Sequence, residues 1–106
     1  MSLIDIFKKL FNKESENYEE YVLPSKYMNF PVYPGVMKGE PIEKSTDKYD
    51  RLTIYYKGSI NKEFIKTIKE YGYEEATDVR YDKDHTYIIV EREGGNTKIA
   101  YHIKKN

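Results

Sequence analysis

Chemistry at a protein site needs a nucleophile beside a base, a set of metal ligands or a cradle for phosphate, and few residues of this chain are candidates. His85 and His102 are its two histidines. On the strand reading given below they occupy adjacent strands, one diagonal step apart. From there two imidazoles could share a metal or gate a contact by protonation near pH 6–7. No third ligand has an obvious placement, so the pair defines no metal site. Glu74, Glu75 and Asp78, and Asp82 with Asp84, cluster in sequence, but helix ends and hairpin turns are routinely acidic and no glycosidase geometry follows. Gly94-Gly95 is followed by a strand pattern, not a helix, and so is a turn and not a phosphate cradle. The chain has no cysteine, which removes thiol catalysis, thiolate metal sites and disulfides together. No catalytic, metal-binding or cofactor-binding residue is assigned.

What remains is a surface. Tyr55, Arg80, Tyr87, Ile89, Ala100 and His102 fall at alternate strand positions on one sheet face, with Glu91 opposite Lys98 as a cross-strand ion pair. An aromatic and aliphatic patch flanked by charges is a candidate contact surface, unless residues 1–51 fold back and cover it. Tyrosines on an open sheet can also stack bases, but that mode needs a basic groove. Here 18 basic residues balance 18 acidic ones, so nucleic acid is disfavoured.

The elements that position this face are legible from Leu52 onward. Leu52, Ile54 and Tyr56 alternate with Thr53, Tyr55 and Lys57 as a two-faced strand, ended by Gly58. Asn61 is a good N-cap, Glu63 complements the helix dipole, and Phe64, Ile65, Ile68 and Tyr71 form an apolar stripe. Gly72 supplies a left-handed stop from which Tyr73 folds back onto Ile68. Thr77, Val79 and Tyr81 begin a hairpin with a Lys83-Asp84 loop, pairing Val79 with Ile88 and Tyr81 with Thr86. His85–Arg92, apolar on both faces, is expected to be central. A Gly94-Gly95 loop then pairs Val90 with Ile99, Ile88 with Tyr101 and Thr86 with Ile103. Both registers put Val79, Tyr81, Ile88, Val90, Ile99, Tyr101 and Ile103 on one inner face.

Upstream, Pro24, Pro31, Pro34 and Pro41 break residues 21–51 into short pieces. Tyr33-Pro34-Gly35-Val36 reads as a tight turn with glycine permitting a positive φ, flanked by strand-like Asn29–Tyr33 and Val36–Ile42. Glu43–Asp50 reads as a loop. At the start, Ser2 caps an amphipathic helix over residues 2–13, with Leu3, Phe7, Leu10 and Phe11 at helical spacing and Ile4 widening the stripe. The acidic stretch Glu14–Glu20 ends it.

The chain is therefore expected to be α+β. A mainly antiparallel sheet, with a strand-helix-strand-strand-strand core, has one long helix on one face and a short N-terminal amphipathic helix. Residues 1–20 form the helix and acidic linker, and residues 21–106 a single domain of a size that supports one modest core. No apolar run approaches the roughly 18–20 residues of a membrane span and no signal-peptide pattern opens the chain, so a soluble cytoplasmic protein is expected. Heavy use of Lys, Glu, Ile and Tyr without Gln or Trp gives a thermophile-like composition, which an AT-rich genome would equally produce.

Phe30-Pro31-Val32-Tyr33-Pro34-Gly35-Val36, then a strand, a helix ending Gly72-Tyr73 and a terminal hairpin, resembles a group of small prokaryotic domains. These pair a Pro-x-Tyr-Pro-Gly-Ala-like turn with a strand, a helix ending Gly-Trp and closing strands. The resemblance spans about residues 30–104. This chain has Val36 for the alanine and Tyr73 for the tryptophan, and it lacks the export signal that many members carry. The resemblance implies the fold and no activity. The N-terminal helix is similar to membrane-targeting leaders of some cell-division proteins.

The leading expectation is a non-enzymatic protein-interaction module. It would self-associate, for instance as a homodimer, through Tyr55, Arg80, Tyr87, Ile89 and His102 or through Leu3, Phe7, Leu10 and Phe11. The alternatives are a peripheral membrane protein anchored by residues 2–13, and a small-ligand-binding domain or enzyme.

Overall fold

A computed structural model describes residues 21–105. The N-terminal helix expected over residues 2–13, with Leu3, Phe7, Leu10 and Phe11, lies outside the described residues. The rest is an α+β domain. Six strands, β1 (Ile42–Ser45), β2 (Tyr49–Tyr56), β3 (Glu74–Glu75), β4 (Arg80–Lys83), β5 (Thr86–Glu93) and β6 (Asn96–Lys104), form one antiparallel sheet in the order β1-β2-β6-β5-β4-β3. One helix, α1 (Lys62–Glu70), crosses from β2 towards β3. No helix among the described residues is long and apolar enough to cross a membrane.

Local chemistry explains the helix. Asn61 Oδ1 accepts the Glu63 amide hydrogen at 2.8 Å, the N-cap bond expected of it. At the other end Gly72 adopts φ 95°, and the Tyr73 amide bonds the Ile68 carbonyl while the Gly72 amide bonds that of Lys69. That is the paired pattern of a Schellman stop. The helix is nine residues long and lies between the expected cap and stop.

The Gly94-Gly95 hairpin keeps the expected register, with Val90 opposite Ile99, Ile88 opposite Tyr101 and Thr86 opposite Ile103. The preceding hairpin differs. Its loop is Asp84-His85 and not Lys83-Asp84, so Tyr81 pairs with Ile88 and Lys83 with Thr86. Asp84 takes the positive φ (53°) that the turn requires, which aspartate tolerates better than most residues, and Thr86 Oγ1 donates to the Lys83 carbonyl. Because the shift is two residues, Tyr81 stays on the inner face. Val79 does not join the core and is 37% exposed. It precedes β4 in a bend where Thr77 Oγ1 accepts from the Val79 and Arg80 amides.

Three upstream expectations are also corrected. Of Glu43–Asp50 only residues 46–48 form a loop: the rest lies in β1 and β2, which pair with Ile42 opposite Thr53 and Ser45 opposite Asp50. Asn29–Tyr33 and Val36–Ile42 are not strands. The first follows a 3-10 turn at Ser25–Tyr27, and the second has one isolated bridge, Met37 to Tyr56, before its last residue Ile42 opens β1. Gly35 does not need a positive φ. A Cβ there would lie 2.7 Å from Tyr33 Cε2, so space dictates glycine.

The core lies between the sheet's inner face and a layer made of α1 and residues 23–33. Leu52, Ile54, Tyr56, Tyr81, Ile88, Val90, Ile99 and Tyr101 meet Phe64, Ile68 and Tyr73 from the helix region and Leu23, Tyr27, Phe30 and Tyr33 from the proline-broken segment. Phe30 packs 4.9 Å from the Tyr101 ring, and Tyr33 lies 4.5 Å from Tyr56 and 4.9 Å from Phe64. Hydroxyls pin this layer. Tyr101 donates to the Pro31 carbonyl at 2.7 Å, and Tyr33 accepts the Asn61 amide hydrogen at 2.7 Å. Tyr101→Phe should therefore leave a buried carbonyl unpaired and lower stability by about 1–3 kcal/mol in chemical denaturation. A loss below 0.5 kcal/mol would show that this bond does not hold residues 23–33 on the sheet.

Candidate functional site

Side chains at Tyr49, Arg51, Thr53 and Tyr55 of β2 point away from the core, as do Lys98, Ala100, His102 and Lys104 of β6 and Tyr87, Ile89 and Glu91 of β5. Strand alternation fixes this once Leu52, Ile54, Ile88, Val90, Ile99 and Tyr101 face inward. Residues 21–33 do not fold over this outer face; they are spent on the inner one. Among the described residues no second layer covers it.

The face instead covers itself. Tyr87 lies flat on His102, ring centroids 4.1 Å apart and planes within 9°, and the Arg80 guanidinium sits 3.9 Å from the Tyr87 ring centroid. Asp82 holds that guanidinium, accepting from Arg80 Nε at 2.6 Å. Tyr49 meets His102 edge-on at 5.4 Å, and Arg51 and Lys104 lie 5.8 and 5.6 Å from the Tyr49 and Tyr87 rings. These are stacking and cation–π geometries. Beneath them His102 is only 5% exposed, and Ala100 and Thr53 are buried as well.

Two buried nitrogens in this layer, Arg51 Nε and His102 Nδ1, have no hydrogen-bond partner among the described residues. They belong to directly opposed residues of β2 and β6. Burial pushes the His102 imidazole down to about 4; the Ala100 carbonyl opposes this, and Arg51, Arg80 and Lys98 reinforce it. His102 is thus neutral at pH 7, compatible with its place among cations. Burial also raises the Tyr87 hydroxyl, against the pull of Arg80.

Of the residues expected to form this surface, Tyr55, Arg80, Tyr87, Ile89 and His102 share the face. Arg80, Tyr87 and His102 form one stack, while Tyr55 stands opposite Lys98, away from it. Sequence reasoning missed Tyr49, Arg51 and Lys104, the first two because the strand was started at Leu52. The alternation Tyr49, Arg51, Thr53, Tyr55 continues unbroken upstream and is the signal that extends it. The two histidines do not share a site. His85 belongs to the β4–β5 turn and lines a cavity of about 430 Å³ with Lys26, Phe30, Asp50, Tyr73 and Ile103, on the core side of the sheet. Nothing among the described residues groups three metal-ligating side chains.

In that cavity the Asp50 carboxylate is held below its usual range by the Ser45 hydroxyl at 2.6 Å and by Lys105 and Lys26. Tyr73 and Thr86 share a hydroxyl hydrogen bond at 3.1 Å. Comparison with protein-family models, curated proteins and solved structures finds no match.

The His102 shift has a stability consequence. Between pH 6.5 and about 4 the unfolded chain takes up a proton that the folded chain refuses, so stability falls as pH drops through that window and levels below it. The full loss is on the order of 3 kcal/mol. Unfolding free energies measured from pH 7 to 4 should show this decline, and His102→Gln should flatten most of it. An equal decline in the variant would place the effect at another group.

Proposed function

We propose that this chain is a non-enzymatic protein-interaction module that associates with itself through the outer sheet face. The observation that carries the reading is the Tyr, Arg, His and Ile layer on that face, which no other element covers among the described residues. Tyrosine and arginine are enriched at interface hot spots, tyrosine because its rigid ring buries large area with a polar handle and arginine because its planar guanidinium both stacks and donates.

The face is less suited to nucleic acid. Base stacking needs a free ring face, and both faces of Tyr87 are taken, by His102 and by Arg80. The proposed binding role is set in an aqueous compartment such as the cytoplasm. Membrane anchoring rests on residues 2–13, outside the described residues.

The core-side cavity favours a second reading, a small-ligand site, since about 430 Å³ is within the usual range for ligand pockets. Its apolar floor of Phe30, Tyr73 and Ile103 and its rim of Lys26, Asp50 and His85 suit a small amphipathic ion.

Sedimentation velocity separates the two readings. Wild type should show a mass that rises with concentration, and Ile89→Glu, on the outer face, should return it to the monomer with unchanged circular dichroism. Tyr55→Glu serves as a second probe at a less central position. A wild type that stays monomeric at all concentrations, or associates equally well in both variants, would overturn the proposal.

A further inference from the structure

The outer face carries a charge pattern that one kind of partner matches in detail. Cross-strand neighbours form a row that runs over all six strands: Lys44, Arg51, His102, Tyr87, Asp82 and Glu74. Its β1–β2 end is basic, its β4–β3 end acidic, and its centre is the neutral His102–Tyr87 stack. The next row has Ala100 beside Ile89 at its centre, and the one after has Lys98 beside Glu91. The centre of the sheet falls between β6 and β5, with three strands on each side.

We infer that the partner is a second copy of this chain, packed outer face to outer face about a two-fold axis that runs parallel to the strands between β5 and β6. This deepens the self-association proposed above and rests on it. Such an axis exchanges the two halves of every row. The His102–Tyr87 stack then faces the partner's own stack in reversed order, with His102 and the buried Ala100 opposite the partner's Tyr87 and Ile89, and Lys98 lies over the partner's Glu91. Arg51 lies over the partner's Asp82, which that copy's own Arg80 already holds, and Lys44 lies over the partner's Glu74, the pair left free to answer it; each pairing occurs twice, as a two-fold interface demands. A two-fold across the strands fails this match, because it sets Lys98 of one copy against the Lys104 end of the other.

The dimensions fit a sheet-on-sheet contact. Aligned sheets pack about 10 Å apart at about 30°. That angle displaces the ends of the row by about 6 Å, within reach of lysine and glutamate side chains. Five strand gaps of about 4.8 Å and three rows cover on the order of 500 Å² of sheet per copy, below the usual figure for a stable complex. The dimer is therefore weak, with a Kd in the micromolar range, and salt weakens it further because its rim is ionic.

Lys44 and Glu74 test the axis, since both are exposed and both stand at the ends of the row. In a Lys44→Glu homodimer two attractive pairs become two repulsions, and the same holds for Glu74→Lys. Sedimentation equilibrium at low salt should find each variant's Kd raised about tenfold. Mixing the two in equal amounts should restore wild-type affinity as a heterodimer, and the double variant K44E/E74K should regain it alone. Additive weakening in the double variant, or no recovery in the mixture, overturns the two-fold arrangement. If Ile89→Glu nevertheless dissociates the wild-type dimer, the outer face remains the interface and only the axis is wrong. If Ile89→Glu leaves the dimer intact, or wild type never dimerises, the reading beneath the inference falls too.

Discussion

A nine-residue helix cannot cover a six-stranded sheet, and the rest of the molecule follows from that mismatch. Five strand gaps span about 24 Å, while a helix with its side chains is about 10 Å across. The uncovered inner surface would expose Tyr101, Ile88 and Leu52. Residues 23–33 close the gap with Leu23, Tyr27, Phe30 and Tyr33, a layer of aromatic side chains with almost no regular secondary structure. Tyrosine serves here because a ring can fill the core while its hydroxyl answers a backbone group, as Tyr101 does for the Pro31 carbonyl and Tyr33 for the Asn61 amide at the helix cap. Burial raises the hydroxyls of Tyr27 and Tyr101 well above the ordinary tyrosine value, to about 12 for Tyr27, so they remain protonated donors or acceptors at any physiological pH.

Spending that segment on the inner face leaves the outer one to its own side chains. Arg80, Tyr87 and His102 lie along the sheet in place of a second layer. Stacking hides the imidazole and the small residues below, but the cost is a neutral His102 and two nitrogens without partners. A face assembled in this way is stable in water and still rich in the side chains that make contacts. Its charges are sorted across the strands and cancel only in sum, a distinction that the zero net charge of the chain conceals.

The parts of this fold that could be read in the sequence are those set by local chemistry. Asn61, Gly72 and Gly94-Gly95 act within a few residues of themselves, and the expectations built on them hold in detail. The two-residue shift at Asp84-His85 shows the limit, because Lys83-Asp84 and Asp84-His85 are both plausible loops and only the placement of a positive φ chooses between them. Residues 23–45 were the least legible, since nothing local says that Phe30 will meet Tyr101 or that a polar stretch such as Ile42–Ser45 will add to a sheet edge. Six members of the outer face, Tyr55, Arg80, Tyr87, Ile89, Ala100 and His102, were found by alternation alone. Their stacking was not, because whether Tyr87 stands up from the sheet or lies on His102 depends on neighbours from four strands.

Ile88 and Ile89 are adjacent in sequence and stand on opposite faces of the same strand, which makes them a direct probe. Methyl relaxation by a soluble gadolinium chelate can be followed for both as protein concentration is raised. At high dilution the Ile89 methyls should relax strongly and those of Ile88 hardly at all, and concentrating the protein should then shield Ile89. Shielding of Ile89 at every concentration would mean that the chain covers this face itself. Unchanged exposure at the highest concentration would mean that nothing in solution pairs with it, and either result would contradict the account.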